Sequence, residues 1–193
     1  MKQFIFFTIL LLLAITAKLH AQDTTDQMER KGFVIGLGIS GGAISISDTE
    51  TGQDFDKGQG SLSLPNIKLG YMVNERLAVL LNTSGMIYSQ NEYDRSFETF
   101  LPSVQYWVKN NLWISGGIGL AIDMPALYDV EDNLNDDFNA GCAVGLSVGH
   151  EIYQQKNFAI DLQLQTTAGR TFFKGDGHRD AATISVGVGF NWY

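Results

Sequence analysis

From residue 32 to the C-terminus, apolar residues alternate with small or polar ones at period two. The last strand-like segment shows it most plainly. Ala182, Ile184, Val186, Val188, Phe190 and Trp192 share one face, against Ala181, Thr183, Ser185, Gly187, Gly189 and Asn191 on the other. The same division separates Phe158, Ile160, Leu162 and Leu164 from Ala159, Asp161, Gln163 and Gln165. It also separates Leu112, Ile114, Ile118, Leu120 and Ile122 from Trp113, Ser115, Gly117, Gly119 and Ala121. No segment beyond residue 21 holds a period near 3.6, and none is apolar for the ~20 residues of a spanning helix. The pattern predicts eight strands, over 32–47, 61–72, 77–89, 97–108, 112–122, 138–153, 157–169 and 181–193. Several exceed the ~9–11 residues with which a tilted strand crosses a bilayer.

The links between these segments alternate in length. Residues 72–76, 109–111 and 154–156 read as tight turns, and 48–60, 90–96, 123–137 and 170–180 as longer polar loops. An even strand count then puts both termini on the tight-turn side, which is the periplasmic side of an outer-membrane barrel. Leu64-Pro65-Asn66-Ile67 and Leu101-Pro102-Ser103-Val104 form a weak repeat. Each Pro lacks a ladder donor, so a bulge or a break in pairing is expected there.

Composition decides which face points outward. Hydrophobic residues make up 45% of the chain and charged ones only 18%, with 21 Gly and 3 Pro. The mean hydropathy is −0.01, far below that of a helical membrane protein. A soluble barrel or sandwich would clothe its second face in Lys, Arg, Asp and Glu. Here that face is mostly Gly, Ala, Ser, Thr, Asn and Gln, which suits a narrow interior. The expected fold is therefore all-β, a closed antiparallel transmembrane β-barrel of about eight strands in an up-and-down meander. Closure follows because a bilayer leaves no unpaired sheet edge satisfied. Phe33, Tyr71, Tyr106, Phe158 and Trp192 lie on the apolar phase near the tight turns and form a candidate periplasmic aromatic girdle, with Phe100 and Phe138 near the loop ends.

The N-terminal 21 residues read differently. Lys2 precedes an apolar run from Phe4 to Ala17, and Ala21 offers a cleavage site before Gln22. The expectation is a signal peptide over 1–21 and a barrel domain over 22–193. An uncleaved anchor fits less well, because the run is too short to span. Cys142 is the only Cys, on an apolar strand face, so no internal disulfide is possible. The net charge is −8, and becomes −10 without residues 1–21, which carry Lys2 and Lys18 and no acid. Such acidity argues against nucleic acid as a partner.

The signal-like start, the alternating hairpins and the ending Ile184-Ser185-Val186-Gly187-Val188-Gly189-Phe190-Asn191-Trp192-Tyr193 resemble the small porin-type outer-membrane β-barrel family, with OmpA/OmpX-like and OmpW-like members. The likeness covers essentially all of 22–193. It implies residence in the bacterial outer membrane with both termini periplasmic, amid outer-membrane lipid and lipopolysaccharide. It also implies insertion by the barrel-assembly machinery, with Phe190, Trp192 and Tyr193 as the C-terminal assembly signal. Family members keep the terminal aromatic in phase with the apolar face; here Phe190 and Trp192 hold that phase and Tyr193 departs from it.

Candidate chemistry is thin. The loop 123–137 holds Asp123, Asp129, Glu131, Asp132, Asp136 and Asp137 without Lys or Arg, yet lacks the spacing of a calcium loop. In 170–180, Arg170, Lys174 and Arg179 outnumber Asp176 and Asp180, a basic loop suited to lipopolysaccharide phosphates, to an acidic neighbouring loop or, most simply, to solvent. Asp136-Asp137 and His178-Arg179-Asp180 imitate parts of omptin proteases, but the strand count is too low. A lipid A deacylase-like His-x-Ser pair is missing, since His150 is followed by Glu151-Ile152. No catalytic, metal or cofactor residues are assigned. The inward phase instead collects Lys68, Gln105, Trp107, Trp113, Asp161, Gln163 and Gln165. Of these, Lys68, Gln105, Asp161, Gln163 and Gln165 form a candidate polar network, with a Lys68–Asp161 pair as one expectation and trapped water as the other. The reading is a non-enzymatic barrel with a structural or surface-interaction role; the alternative is a narrow porin-like channel for small or apolar solutes.

Overall fold

The computed structural model describes residues 28–52, 54–55, 58–90, 93–128 and 138–193. The expected leader over 1–21 lies outside the described residues. Eight strands follow in chain order: β1 (Gly32–Asp48), β2 (Gln59–Asn74), β3 (Leu77–Gln90), β4 (Tyr93–Lys109), β5 (Leu112–Pro125), β6 (Asn139–Gln155), β7 (Phe158–Phe172) and β8 (His178–Trp192). Each pairs antiparallel with its neighbour in sequence, and β1 pairs with β8 from Ile35↔Trp192 to Asp48↔Arg179, closing the barrel. With no free edge, every strand finds its hydrogen bonds within the wall.

Pro65 and Pro102 interrupt the ladder. The β1–β2 register slips between Gly38↔Asn66 and Ser40↔Ser63, around Pro65, and β2–β3 pairing begins only at Ile67↔Thr83. Between β4 and β5, pairing skips from Phe100↔Leu120 to Ser103↔Gly117, across Pro102.

The strands reach further at the loop end than their sequence pattern indicates. β4 begins at Tyr93, so residues 91–92 alone link β3 to β4, where a longer loop over 90–96 is expected from sequence. Likewise β7 and β8 extend through most of 170–180, leaving 173–177, which Phe173 N–H closes onto Gly177 O at 3.0 Å. β5 continues to Pro125, so Asp123 belongs to the wall rather than to an acidic loop. Phe100 consequently sits at mid-strand in β4, not near the loop end; Phe138 does stand at that end, 57% exposed.

The wall changes character along its height. In the tight-turn half, the outward positions are Phe33, Ile35, Leu37 and Ile39 on β1, Val79 and Leu81 on β3, and Val104 and Tyr106 on β4, all exposed. In the other half, Ser45, Ser47, Ser96, Glu98, Arg170 and Asp180 take outward positions. There a cluster of apolar residues points inward: Ile44, Ile46, Met86, Tyr88, Phe97 and Leu101 are buried together with Ala121, Ala143 and Ala181, although Leu62 and Phe172 stay on the exposed outer face. An apolar exterior suits hydrocarbon, whereas an apolar interior suits a wall standing in water.

Candidate functional site

The barrel interior is filled at three heights. At the tight-turn mouth, Glu151 on β6 is the centre. Its Oε1 accepts from Trp107 Nε1 at 2.8 Å and from the Tyr193 hydroxyl at 2.9 Å, while Oε2 accepts from Arg30 and Gln154. Arg30 also donates to Asn110 O, and its guanidinium lies 4.9 Å from the Trp107 ring centroid and 5.7 Å from that of Tyr193. Val34, Met72, Ala78, Leu80, Trp113 and Ala159 complete this closure, with Met28 against it. Tyr193 departs from the outward aromatic phase because it is the inward cover of this mouth; its N–H donates to Asn157 O at 2.8 Å. Outside the strands, the Lys31 ammonium beside Glu29 holds that exposed carboxyl below its ordinary value.

One layer up, β7 places Asp161 directly beside Glu151 across the β6–β7 ladder. Asp161 Oδ2 accepts from Trp113 Nε1 and from Asn191 Nδ2, each at 3.0 Å, and lies 3.9 Å from Lys68 Nζ. The Lys68 ammonium stands 4.0 Å from the Trp113 ring centroid. Gln163 accepts from Gln165 Nε2 at 2.7 Å. Gln105 is buried on the same inward phase. The side chains proposed from sequence thus share this layer, but as one close ionic contact, one glutamine pair and a separate glutamine. Lys68 Nζ, Gln105 Oε1, Ser115 Oγ, Asn82 Oδ1 and Asp161 Oδ1 are buried with no protein hydrogen-bond partner. Above them is a gap of about 30 Å³ lined by Asn66, Lys68, Asn82, Ser103, Ser115 and Thr167. That is room for about one water among polar partners.

Two glycines make this filling possible. A Cβ on Gly149 would stand 2.2 Å from Cε2 and Cζ2 of Trp113. A Cβ on Gly189 would stand 2.0 Å from Gln163 Nε2 and 2.4 Å from Asp161 Oδ1.

At the far mouth lies a cluster that the sequence pattern did not reveal. Arg179 on β8 donates to Asp48 Oδ2 from Nε at 2.9 Å and Nη2 at 2.6 Å, and to Asp123 Oδ1 from Nη1 at 2.7 Å. Arg95 on β4 donates to Asp123 through Nε at 2.7 Å and through Nη2. The Tyr88 hydroxyl donates to Asp123 Oδ2, and Gln90 Nε2 to Asp48 Oδ2 at 2.9 Å. Two arginines face two aspartates, so the cluster balances its own charge. The acidic-loop reading of Asp123 and the basic-loop reading of Arg179 are both corrected here: each is buried in the lumen. The signal was available. Asp48, Arg95, Asp123 and Arg179 all continue the inward parity of their strands one or two residues beyond the ends assigned from pattern, and Glu151 continues it within its assigned strand.

Outside the wall, Phe33 and Tyr71 meet edge to face at 5.5 Å, and Phe158 lies 5.1 Å from Trp192 and 6.3 Å from Tyr153. Tyr106 is exposed on β4 at the same end. Phe190 is half-buried on the outward face of β8. Arg170 grips Asp180 with two bonds, 2.6 and 2.8 Å, and His178 Nε2 is 3.7 Å from that carboxylate. His178 and Asp180 therefore face outward while Arg179 faces the lumen, which separates the three residues that resemble part of a protease site. Asp136 and Asp137 lie outside the described residues. Among the described residues no His, Cys, Asp and Glu gather as a metal site.

No family model matches the sequence, and no curated protein does so either. Solved structures do match. Neisserial surface protein A aligns at TM-score 0.54 with 16% identity, over 82% of this chain and 96% of that one. The attachment invasion locus protein Ail of Yersinia pestis aligns at TM-score 0.53 with 13% identity, over 85% and 100%. Ail in complex with the heparin analogue sucrose octasulfate aligns at 0.52 with 12% identity, over 83% and 99%. The chain has the eight-stranded fold of these outer-membrane β-barrel proteins.

Proposed function

We propose that this chain is an integral outer-membrane barrel with a structural or surface-interaction role, neither an enzyme nor an open channel. The observation that carries the reading is the filled lumen. Glu151 with Arg30, Trp107 and Tyr193 closes one mouth, and Arg179 and Arg95 with Asp48 and Asp123 close the other. A hydrated ion has no room in a gap of about 30 Å³ between them. The matched structures carry the names of a surface protein and of an attachment protein, which agrees with a barrel that presents its loops.

In this reading residues 1–21 are a leader removed on export, leaving Gln22 as the first residue. The tight turns and both termini face the periplasm, and the longer links face outward among lipopolysaccharide. Phe33, Tyr71, Tyr106, Phe158 and Trp192 mark the periplasmic interface. Phe190, Trp192 and Tyr193 are the segment that the barrel-assembly machinery engages. Lys68, Gln105, Asp161, Gln163 and Gln165 serve as lumen filling. The test is single-channel recording of the purified chain in planar bilayers. A baseline without steps is expected; a large steady conductance overturns the closed-lumen reading in favour of the channel.

A further inference from the structure

Each tight turn carries one exposed cation: Arg76 between β2 and β3, Lys109 before the β4–β5 turn, and Lys156 between β6 and β7. None of these three side chains has an ion-pair partner among the described residues, in contrast to Arg30 with Glu151 and Lys31 with Glu29. Among the described residues the side-chain carboxylates at this end are Glu29, Glu151 and its cross-strand neighbour Asp161, each with a cationic partner, and Glu75. Arg76 and Lys109 also line one cleft of about 590 Å³, in which Arg30 and Lys31 add two further cations and Glu29 and Glu75 two carboxylates.

The depth of these charges is set by the rings beside them. Lys156 stands two residues before Phe158, and Lys109 three after Tyr106. At ~3.4 Å per residue along a tilted strand, they lie ~5–8 Å beyond the aromatic band. That matches the headgroup layer outside the hydrocarbon, ~5–7 Å on each side. A cation there meets lipid phosphate.

We propose that the tight-turn end is a collar for anionic glycerophospholipid headgroups, with Arg76, Lys109 and Lys156 as its contacts. Phosphatidylglycerol carries a net negative headgroup and phosphatidylcholine none, so the collar selects the former. Lys and Arg near an anionic membrane surface each favour it by about fivefold in occupancy. The cleft shared by Arg76 and Lys109 gives a headgroup two cations at once, and Val73 and Val108 on the adjoining outer wall are exposed beside it. The inference rests on the proposed insertion of the barrel in a bilayer, but not on which way round it inserts.

The full chain is reconstituted in nanodiscs with equal phosphatidylglycerol and phosphatidylcholine, and the lipids it retains are counted by native mass spectrometry. A band shift between unheated and boiled samples reports barrel formation separately. The wild type is expected to retain phosphatidylglycerol at least fivefold over phosphatidylcholine, with the ratio falling in high salt. The triple variant Arg76→Gln/Lys109→Gln/Lys156→Gln should bring the ratio near one, while Arg170→Gln at the other end leaves it unchanged. A folded wild type with a ratio near one overturns the collar, as does a ratio unmoved by the triple variant or lowered equally by Arg170→Gln. Should the triple variant fail to fold, the wild-type ratio and its salt dependence decide. Absence of the band shift in the wild type would instead strike at the barrel reading.

Discussion

Trp113 donates its indole N–H to Asp161 Oδ2 across 3.0 Å of barrel interior, joining β5 to β7 although β6 lies between them in the wall. The same indole ring lies under the Lys68 ammonium of β2 at 4.0 Å. One aromatic side chain thus screens a cation and an anion that are themselves 3.9 Å apart.

Loss of Asp161 should therefore be felt by Lys68. Asp161→Ala leaves the buried ammonium without its counter-charge and the Trp113 and Asn191 donors without an acceptor. The expected cost is about 1–3 kcal/mol in urea unfolding from lipid vesicles. Lys68→Ala/Asp161→Ala should recover part of it, because the uncompensated charge is gone. A cycle with no coupling would show the two charges to be independently hydrated.

The opposite mouth should be more costly to disturb. Asp123 accepts from Arg95, Arg179 and Tyr88 in a fully buried position. Asp123→Ala removes the acceptor shared by Arg95, Arg179 and Tyr88, leaves Asp48 as the one carboxylate of the described cluster against two guanidinium groups, and should destabilise the barrel by about 3–5 kcal/mol. A loss below about 1 kcal/mol, measured the same way, would mean that water reaches this cluster freely.

Gly149 tests the packing itself. Its missing Cβ is where the Trp113 ring sits, so Gly149→Ala must displace the indole. An expected cost of about 1–3 kcal/mol follows from overpacking. The near-ultraviolet circular dichroism of the variant should change as the ring moves. Wild-type stability with an unchanged spectrum would contradict the packing described here.

Orientation is checked on intact cells. A tag inserted between Tyr128 and Phe138 should be labelled from outside, and one at Asn110 only after the outer membrane is opened. Labelling at Asn110 alone would invert the barrel and place the cationic turns outward.

Much of this architecture was legible from period two alone. The phase of β8 from Ala182 to Trp192, of β7 from Phe158 to Leu164 and of β5 from Leu112 to Ile122 fixes which residues face lipid. In a strand, successive side chains must take opposite sides. The inward set Lys68, Trp107, Trp113, Asp161 and Gln163 follows from the same parity, because no residue can change face without a bulge. The prolines announced where pairing would fail, since neither can donate to a ladder.

Partners across the lumen are another matter, because parity gives a side but not a neighbour. Asp48, Asp123 and Arg179 meet only after the sheet has closed and tilted, which sets the height of each strand against the rest. Strand ends were lost for a related reason: beyond the hydrocarbon the apolar residues move from the outer to the inner face, as between Ile39 and Ile44 on β1, so alternation weakens where the environment changes sides. Tyr193 shows both effects at once. By sequence it is an aromatic out of phase; in the folded barrel that inward phase is what brings its hydroxyl to Glu151 at 2.9 Å, across a mouth that exists only once β1 and β8 have joined.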